Sequence, residues 1–145
     1  MIAYLDASVI LRLVMKEADP LQEWPDIVQG VASTLAEVEV FRTLDRMRFY
    51  DPLVPDRALA ARREAAFGVM EGLETVEITR TILSRAAQPL PTALGSLDAI
   101  HLVSAMSWRE EFGNLFFATH DRGLGICARA SGFKVLGVSL DDLHG

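Results

Sequence analysis

The run Ile2-Ala3-Tyr4-Leu5-Asp6-Ala7-Ser8-Val9 decides the fold class. Ile2 to Leu5 is an apolar run of strand length, and Asp6 ends it. From Val9 to Met15 apolar residues follow almost continuously, as in a buried first helix. A strand apolar on every side belongs inside a sheet covered on both faces, which is the habit of parallel sheets.

Outward from that run the same alternation repeats. Gly30-Val31-Ala32-Ser33 reads as a second strand, and Thr34 to about Phe49 as a helix with Leu35, Val38, Phe41 and Leu44 turned inward. Asp51-Pro52 and Val54-Pro55 break the chain before an amphipathic helix from Arg57 to Met70, ended near Gly72. Val76-Glu77-Ile78 is expected as a third strand, with a helix from Thr79 to Ala87. A loop with Pro89, Pro91 and Gly95 feeds a helix from about Ser96 to Glu110. Leu115 to Ala118 is the clearest buried strand; a helix from Asp121 to Ala130 and a strand from Lys134 to Val138 complete the chain. Strands alternating with helices predict an α/β fold with a central, mainly parallel sheet.

Composition narrows the function. The 145 residues suit one domain over 1–145, and 50% of them are hydrophobic, ample for a core. The net charge of -6 argues against a protein that holds nucleic acid by phosphate neutralisation alone, since such proteins are normally basic. The single cysteine, Cys127, sits in an apolar helical pattern and is expected as a buried thiol in a reducing, cytoplasmic setting. The start, Met1 to Asp6, lacks the basic and long apolar parts of a signal peptide, and no apolar run is long enough to span a membrane.

Four acids stand where elements begin. Asp6 and Asp121 follow strands, Glu37 lies three residues after Thr34, and Asp98 opens the helix from Ser96. Each has an ordinary structural use. Asp6 and Asp121 are good N-caps, Thr34 and Glu37 make a capping box, and Asp98 faces the positive end of a helix dipole. Parallel topology, however, gathers these ends along one edge, where ligands bind in such sheets. Four carboxylates about 5 Å apart would repel by about 3 kcal/mol per pair at an effective dielectric near 20. Such a cluster stands only if protons or divalent cations neutralise it. Oxygen ligands alone select Mg²⁺ or Mn²⁺ over Zn²⁺, and a cation so held suits phosphodiester hydrolysis.

The stretches Leu5-Asp6-Ala7-Ser8, Ser33-Thr34-Leu35-Ala36-Glu37-Val38, Leu97-Asp98-Ala99-Ile100-His101-Leu102 and Ala118-Thr119-His120-Asp121-Arg122 appear in an order that resembles PIN-domain nucleases. They look most like the toxin halves of VapBC toxin–antitoxin pairs. The resemblance implies a three-layer α/β/α fold, Mg²⁺- or Mn²⁺-dependent endoribonuclease activity, an RNA substrate, a cognate antitoxin and a homodimer. It implies Asp6, Glu37, Asp98 and Asp121 as the acidic site, with Asp6, Asp98 and Asp121 on the metal and Ser8 and Thr119 as supporting hydroxyls. His120, immediately before Asp121, departs from that pattern. Two alternatives stay open: a phosphatase or phospho-receiver with Asp6 as acceptor, and a catalytically silent binding module.

Around these acids, His101 shares a helix face with Asp98 and is expected as a half-buried histidine or an RNA contact, as is His120 in its loop. Arg42, Arg46, Arg48, Arg57, Arg62 and Arg63 oppose Asp45, Asp51, Asp56 and Glu64 over residues 40–65, a local +2 (six minus four) in an acidic chain. Arg42 and Arg46 are thus candidate contacts for RNA or a partner. Phe49-Tyr50 could stack a base but is expected rather to cover the core, and His144 carries no assignment.

Overall fold

The computed structural model describes residues 1–141, and His144 lies outside them. Five strands form one sheet: β1 (Ile2–Leu5), β2 (Gln29–Ser33), β3 (Leu73–Val76), β4 (Phe116–Ala118) and β5 (Val135–Leu136). Their spatial order is β3-β2-β1-β4-β5, and every pairing is parallel. Among the described residues six α-helices cover it: α1 (Ala7–Met15), α2 (Thr34–Tyr50), α3 (Asp56–Glu71), α4 (Arg80–Ala86), α5 (Ser96–Phe112) and α6 (Arg122–Ala130). The expected α/β/α layering is what forms.

Strand alternation divides the core in two. Ala3, Leu5, Ala32 and Ala118 point to one face and pack with Val9, Ile10, Val14, Val40 and Leu44 from α1 and α2 and Ala66 from α3. Tyr4, Val31 and Phe117 point to the other and pack with Leu102, Trp108, Leu124 and Cys127 from α5 and α6. Cys127 is buried and free, as expected. Small residues on the first face let α1 and α2 approach the sheet closely, while rings fill the second, where Tyr4 stacks on Phe117 at 5.2 Å.

Several local expectations are corrected. The inward stripe of α2 is Ala36, Val40 and Leu44, whereas Val38 is 58% exposed. The helix is rotated relative to the Leu35-Val38-Phe41 reading because Ala36 is the residue small enough to sit against the strands. Ser33 caps this helix, accepting from the Leu35 amide at 3.0 Å. Glu37 therefore stands one residue too late for a capping box. The third strand begins at Leu73 rather than Val76, straight after Gly72, because Leu73 seats on Gly30 across the ladder. Edge position tolerates its polar half, Glu74 and Thr75. The last strand is cut to two residues by Gly137, whose φ of +91° turns the chain away. Phe49 and Tyr50 are exposed, Tyr50 to 82%, with the Arg48 guanidinium 4.4 Å above the Phe49 ring. They lie at the far end of α2, past the sheet it packs on.

The chain winds outward from β1 to β3, then returns through α4 and α5 to start β4 on the other side of β1. The order reverses between β1 and β4, and their carboxyl ends border the crevice where such folds bind ligands.

Candidate active site

Asp6 ends β1 and caps α1: its Oδ1 accepts from the Val9 amide at 3.2 Å. The same oxygen accepts from Ser8 Oγ at 2.6 Å, and Oδ2 accepts from Thr119 Oγ1 at 2.5 Å. Each hydroxyl has one proton to give, and each gives it to Asp6. Each in turn accepts from the backbone beyond β4: Ser8 Oγ from the His120 amide and Thr119 Oγ1 from the Asp121 amide, both at 3.0 Å. A closed ring of hydrogen bonds thereby fixes the end of β1 to the end of β4 and holds both Asp6 oxygens in place. Although only 5% exposed, Asp6 keeps three donors. Burial raises its carboxyl above the ordinary value, and the hydrogen bonds from Ser8 and Thr119 oppose that rise.

Asp121 caps α6, accepting from the Leu124 amide at 2.7 Å, and its side chain is otherwise open to solvent. Asp98 lies in the first turn of α5, whose N-cap is Gly95. Burial raises the Asp98 carboxyl most, Asp121's charge next, and Asp6 and Glu39 further; His101 acts against them. Acids from α1, α2, α5 and α6 thus share one field at the carboxyl edge of the sheet.

The acid that α2 contributes is not the expected one. Glu37 is exposed and takes no part in the interactions around Asp98, whereas Glu39 receives His101 Nε2 at 2.5 Å. Residues two apart on a helix point about 200° away from each other, so the fold must choose one of the pair. His101 is correspondingly not an RNA contact. It is 1% exposed, with Nδ1 bonded to the Tyr4 hydroxyl at 2.8 Å and Nε2 to Glu39. His120 lines a recess with Ser8 and Asp121; its Nδ1 donates to the Gly137 carbonyl at 2.7 Å, and Nε2 is buried without a partner. Arg42 and Arg46 are exposed on α2. Arg42 pairs with Asp45 at 3.0 Å, and Arg46 reaches Thr43 Oγ1 at 3.4 Å.

Among the described residues no three His, Cys, Asp or Glu side chains form a ready-made ligand cage. The arrangement fits a hard divalent cation nonetheless. Its donors are carboxylate oxygens, two of the four acids are pushed toward protonation by burial, and Asp98 is pushed further by the other acids. Mg²⁺ is ordinarily held by one or two carboxylates with water completing its shell, so it needs no cage. A recess at the opposite, amino edge of the sheet, lined by Ile2, Arg109, Asn114 and Lys134, contains no acid. No helix among the described residues is long and apolar enough to cross a membrane.

Comparison with known proteins agrees with this architecture. The PIN domain model matches residues 3–125. The chain is 30% identical over 139 residues to ribonuclease VapC46 of Mycobacterium tuberculosis, covering 94% of this chain and 97% of that protein. It is 29% identical over 137 residues to ribonuclease VapC47 of the same species, covering 90% and 92%. Among solved structures, VapBC2 of Rickettsia felis, bound to a DNA fragment from their promoter, superposes with a TM-score of 0.64 at 10% identity, over 93% of this chain and 97% of that one. PAE2754 of Pyrobaculum aerophilum gives 0.62 at 19% identity, over 92% and 82%. At those identities the two structures speak to fold alone.

Proposed function

The chain belongs to the PIN domain family and to its VapC ribonucleases, and from that premise we propose that it is a divalent-metal-dependent endoribonuclease, the toxin of a toxin–antitoxin pair. Asp6 and Asp98 would hold the cation, with Asp121 beside them. Glu39, in place of Glu37, would complete the cation's surroundings through a water that it would also orient and deprotonate. Ser8 and Thr119 keep the Asp6 oxygens aimed, as hydrogen-bonded carboxylates at metal sites require. A bound Mg²⁺ or Mn²⁺ supplies charge against the phosphate oxygens and a more acidic water.

The observation that carries this reading is the charge converging on Asp98, raised by its own burial and by Asp121, Asp6 and Glu39 together. A fold has no structural use for such repulsion. The test is cleavage of RNA by purified protein with Mg²⁺ or Mn²⁺, by the parent and by Asp6→Asn and Asp98→Asn. Loss of cleavage with an unchanged or higher melting temperature supports the assignment, and cleavage that survives both substitutions ends it.

The same proposal places one nuclease domain in the cytoplasm as a homodimer, with an antitoxin contacting the exposed Arg42 and Arg46 of α2. The lone Cys127, buried and free, is compatible with a reducing setting. Light scattering of the purified chain tests the dimer, and co-expression with a neighbouring short reading frame tests the antitoxin.

A further inference from the structure

Beneath the acids runs a buried polar chain that catalysis as described above leaves unexplained. Tyr4 on β1 precedes Asp6, the extended residue just past the strand, by two, so strand alternation turns both toward α5. His101 follows Asp98 by three residues on α5, so both lie on one helix face. The two elements therefore carry two rungs, an outer one of Asp6 and Asp98 and an inner one of Tyr4 and His101. The inner rung is closed by the 2.8 Å bond between the Tyr4 hydroxyl and His101 Nδ1, with both residues buried. It reaches outward once, from His101 Nε2 to Glu39 Oε1 at 2.5 Å.

The direction of each proton follows from the donor and acceptor inventory. The Glu39 carboxylate can only accept, so His101 carries a proton on Nε2. Of the side chains around the Tyr4 hydroxyl, His101 and Ser104, the ring nitrogen at 2.8 Å is then the acceptor for its proton. A ring accepting at Nδ1 carries its proton on Nε2, which then donates to the Glu39 carboxylate. Tyr4 thus fixes the tautomer that lets His101 hold Glu39. Glu39 has three side-chain torsions and stands on a half-exposed stretch of α2, so unaided it would sample many positions. Glu37, on the same helix without such a partner, is exposed.

We propose that Tyr4 and His101 are positioning residues, a buried clamp that holds Glu39 beside Asp98 before any cation or RNA arrives. This rests on the reading of Asp6, Asp98, Asp121 and Glu39 as the metal-dependent site. The clamp acts through Glu39 alone, so its loss weakens cation binding and turnover without removing an RNA contact.

The experiment measures Mn²⁺ affinity by the electron paramagnetic resonance signal of free Mn²⁺, alongside kcat and KM for RNA and the melting temperature. The variants are His101→Leu, His101→Gln and Tyr4→Phe, with Asp98→Asn as reference. His101→Leu is expected to lower Mn²⁺ affinity and kcat by about 10–100-fold, the usual loss when a partner of a metal ligand is removed, with KM nearly unmoved. His101→Gln restores much of both, because its amide can accept from Tyr4 and donate to Glu39. Tyr4→Phe, which frees the tautomer and keeps the ring, loses less than His101→Leu in the same two quantities. If His101→Leu and Tyr4→Phe bind Mn²⁺ and turn over like the parent while Asp98→Asn is inactive, the clamp is refuted and the site stands. Should His101→Leu fail to fold, Tyr4→Phe decides alone, and parent-like affinity and kcat refute the clamp. If Asp6→Asn and Asp98→Asn both still cleave, the site itself is removed, and the clamp falls with it.

Discussion

The two faces of the sheet are packed by different chemistry. On the side of α1, α2 and α3 the buried side chains are aliphatic: Leu5, Val9, Ile10, Val40 and Leu44 around the alanines of the strands. On the side of α5 and α6 the aromatic rings of Tyr4, Trp108, Phe117 and Phe133 stand among the aliphatic side chains, and polar groups are buried with them: Tyr4 and His101 bonded to each other, and Ser104 bonded to the Ile100 carbonyl. The first face is a core with one task, to exclude water. The second does that and also supports the carboxylates at its upper rim. Stability and chemistry are thereby carried by residues that hardly overlap, and substitutions on the two faces should separate them.

The largest separation is expected at Asp98. Asp98→Asn should reduce RNA cleavage by at least about 10²-fold, the loss seen when one group facing developing charge is removed. Its melting temperature should hold or rise, because an acid repelled by Asp121, Asp6 and Glu39 becomes neutral. On the other face Leu44→Ala should do the opposite. It leaves a cavity in a buried stripe and costs about 2–5 kcal/mol, read from the urea midpoint. Turnover per folded molecule should stay at the parent value. A Leu44→Ala protein with normal stability but lost cleavage would break the division between the faces.

How far the sequence revealed this arrangement also differs between regions. Asp6, Asp98 and Asp121 were legible because local signals mark them: each ends a strand, opens a helix or caps one, and parallel topology does the rest. Glu39 was not. The buried stripe Ala36-Val40-Leu44 is flanked by Glu37 on one side and Glu39 on the other, so helical periodicity cannot choose between them. What chooses is His101, 62 residues away, and a contact of that range leaves no local mark. Edge strand β3 was misplaced for a related reason. Leu73-Glu74-Thr75-Val76 is half polar, and only the groove at Gly30 across the ladder shows why Leu73 belongs in it. Phe49 and Tyr50 read as core by composition, but they extend beyond the sheet that would have covered them.

A smaller effect sharpens the comparison from between the two faces. Gly137 holds φ +91°, and a Cβ there would lie 2.6 Å from the Thr119 carbonyl oxygen, inside any real contact. Gly137→Ala should cost about 1–3 kcal/mol, the usual range for backbone forced into a disfavoured region. Because the clash falls on Thr119, which donates to Asp6, cleavage should fall as well, unlike Leu44→Ala. Equal activity per folded molecule in the two variants would show that the ring of bonds around Asp6 tolerates displacement.

The smallest effect is the dependence of stability on pH. Asp6 and Asp98 both hold their protons to higher pH in the folded protein than an ordinary carboxyl does, chiefly because burial penalises their charge. The unfolded chain releases those protons near pH 4, where model carboxyls titrate. Between that pH and the raised folded values the native state binds more protons, so stability falls as pH rises through the window. Asp45 and Glu110, lowered by Arg48 and Arg85, act in the reverse sense as their own protons leave. The informative quantity is therefore the difference between parent and Asp98→Asn. Urea midpoints from about pH 4 to pH 7 should show the parent losing stability relative to the variant as pH increases. Saturating Mg²⁺ should shrink that gap from the parent's side, since a cation bound only by the folded, ionised acids stabilises that state by mass action. A gap that is constant with pH and indifferent to Mg²⁺ would mean that Asp98 meets no repulsion in the fold, and the contrast between a quiet face and a charged one would lose its physical basis.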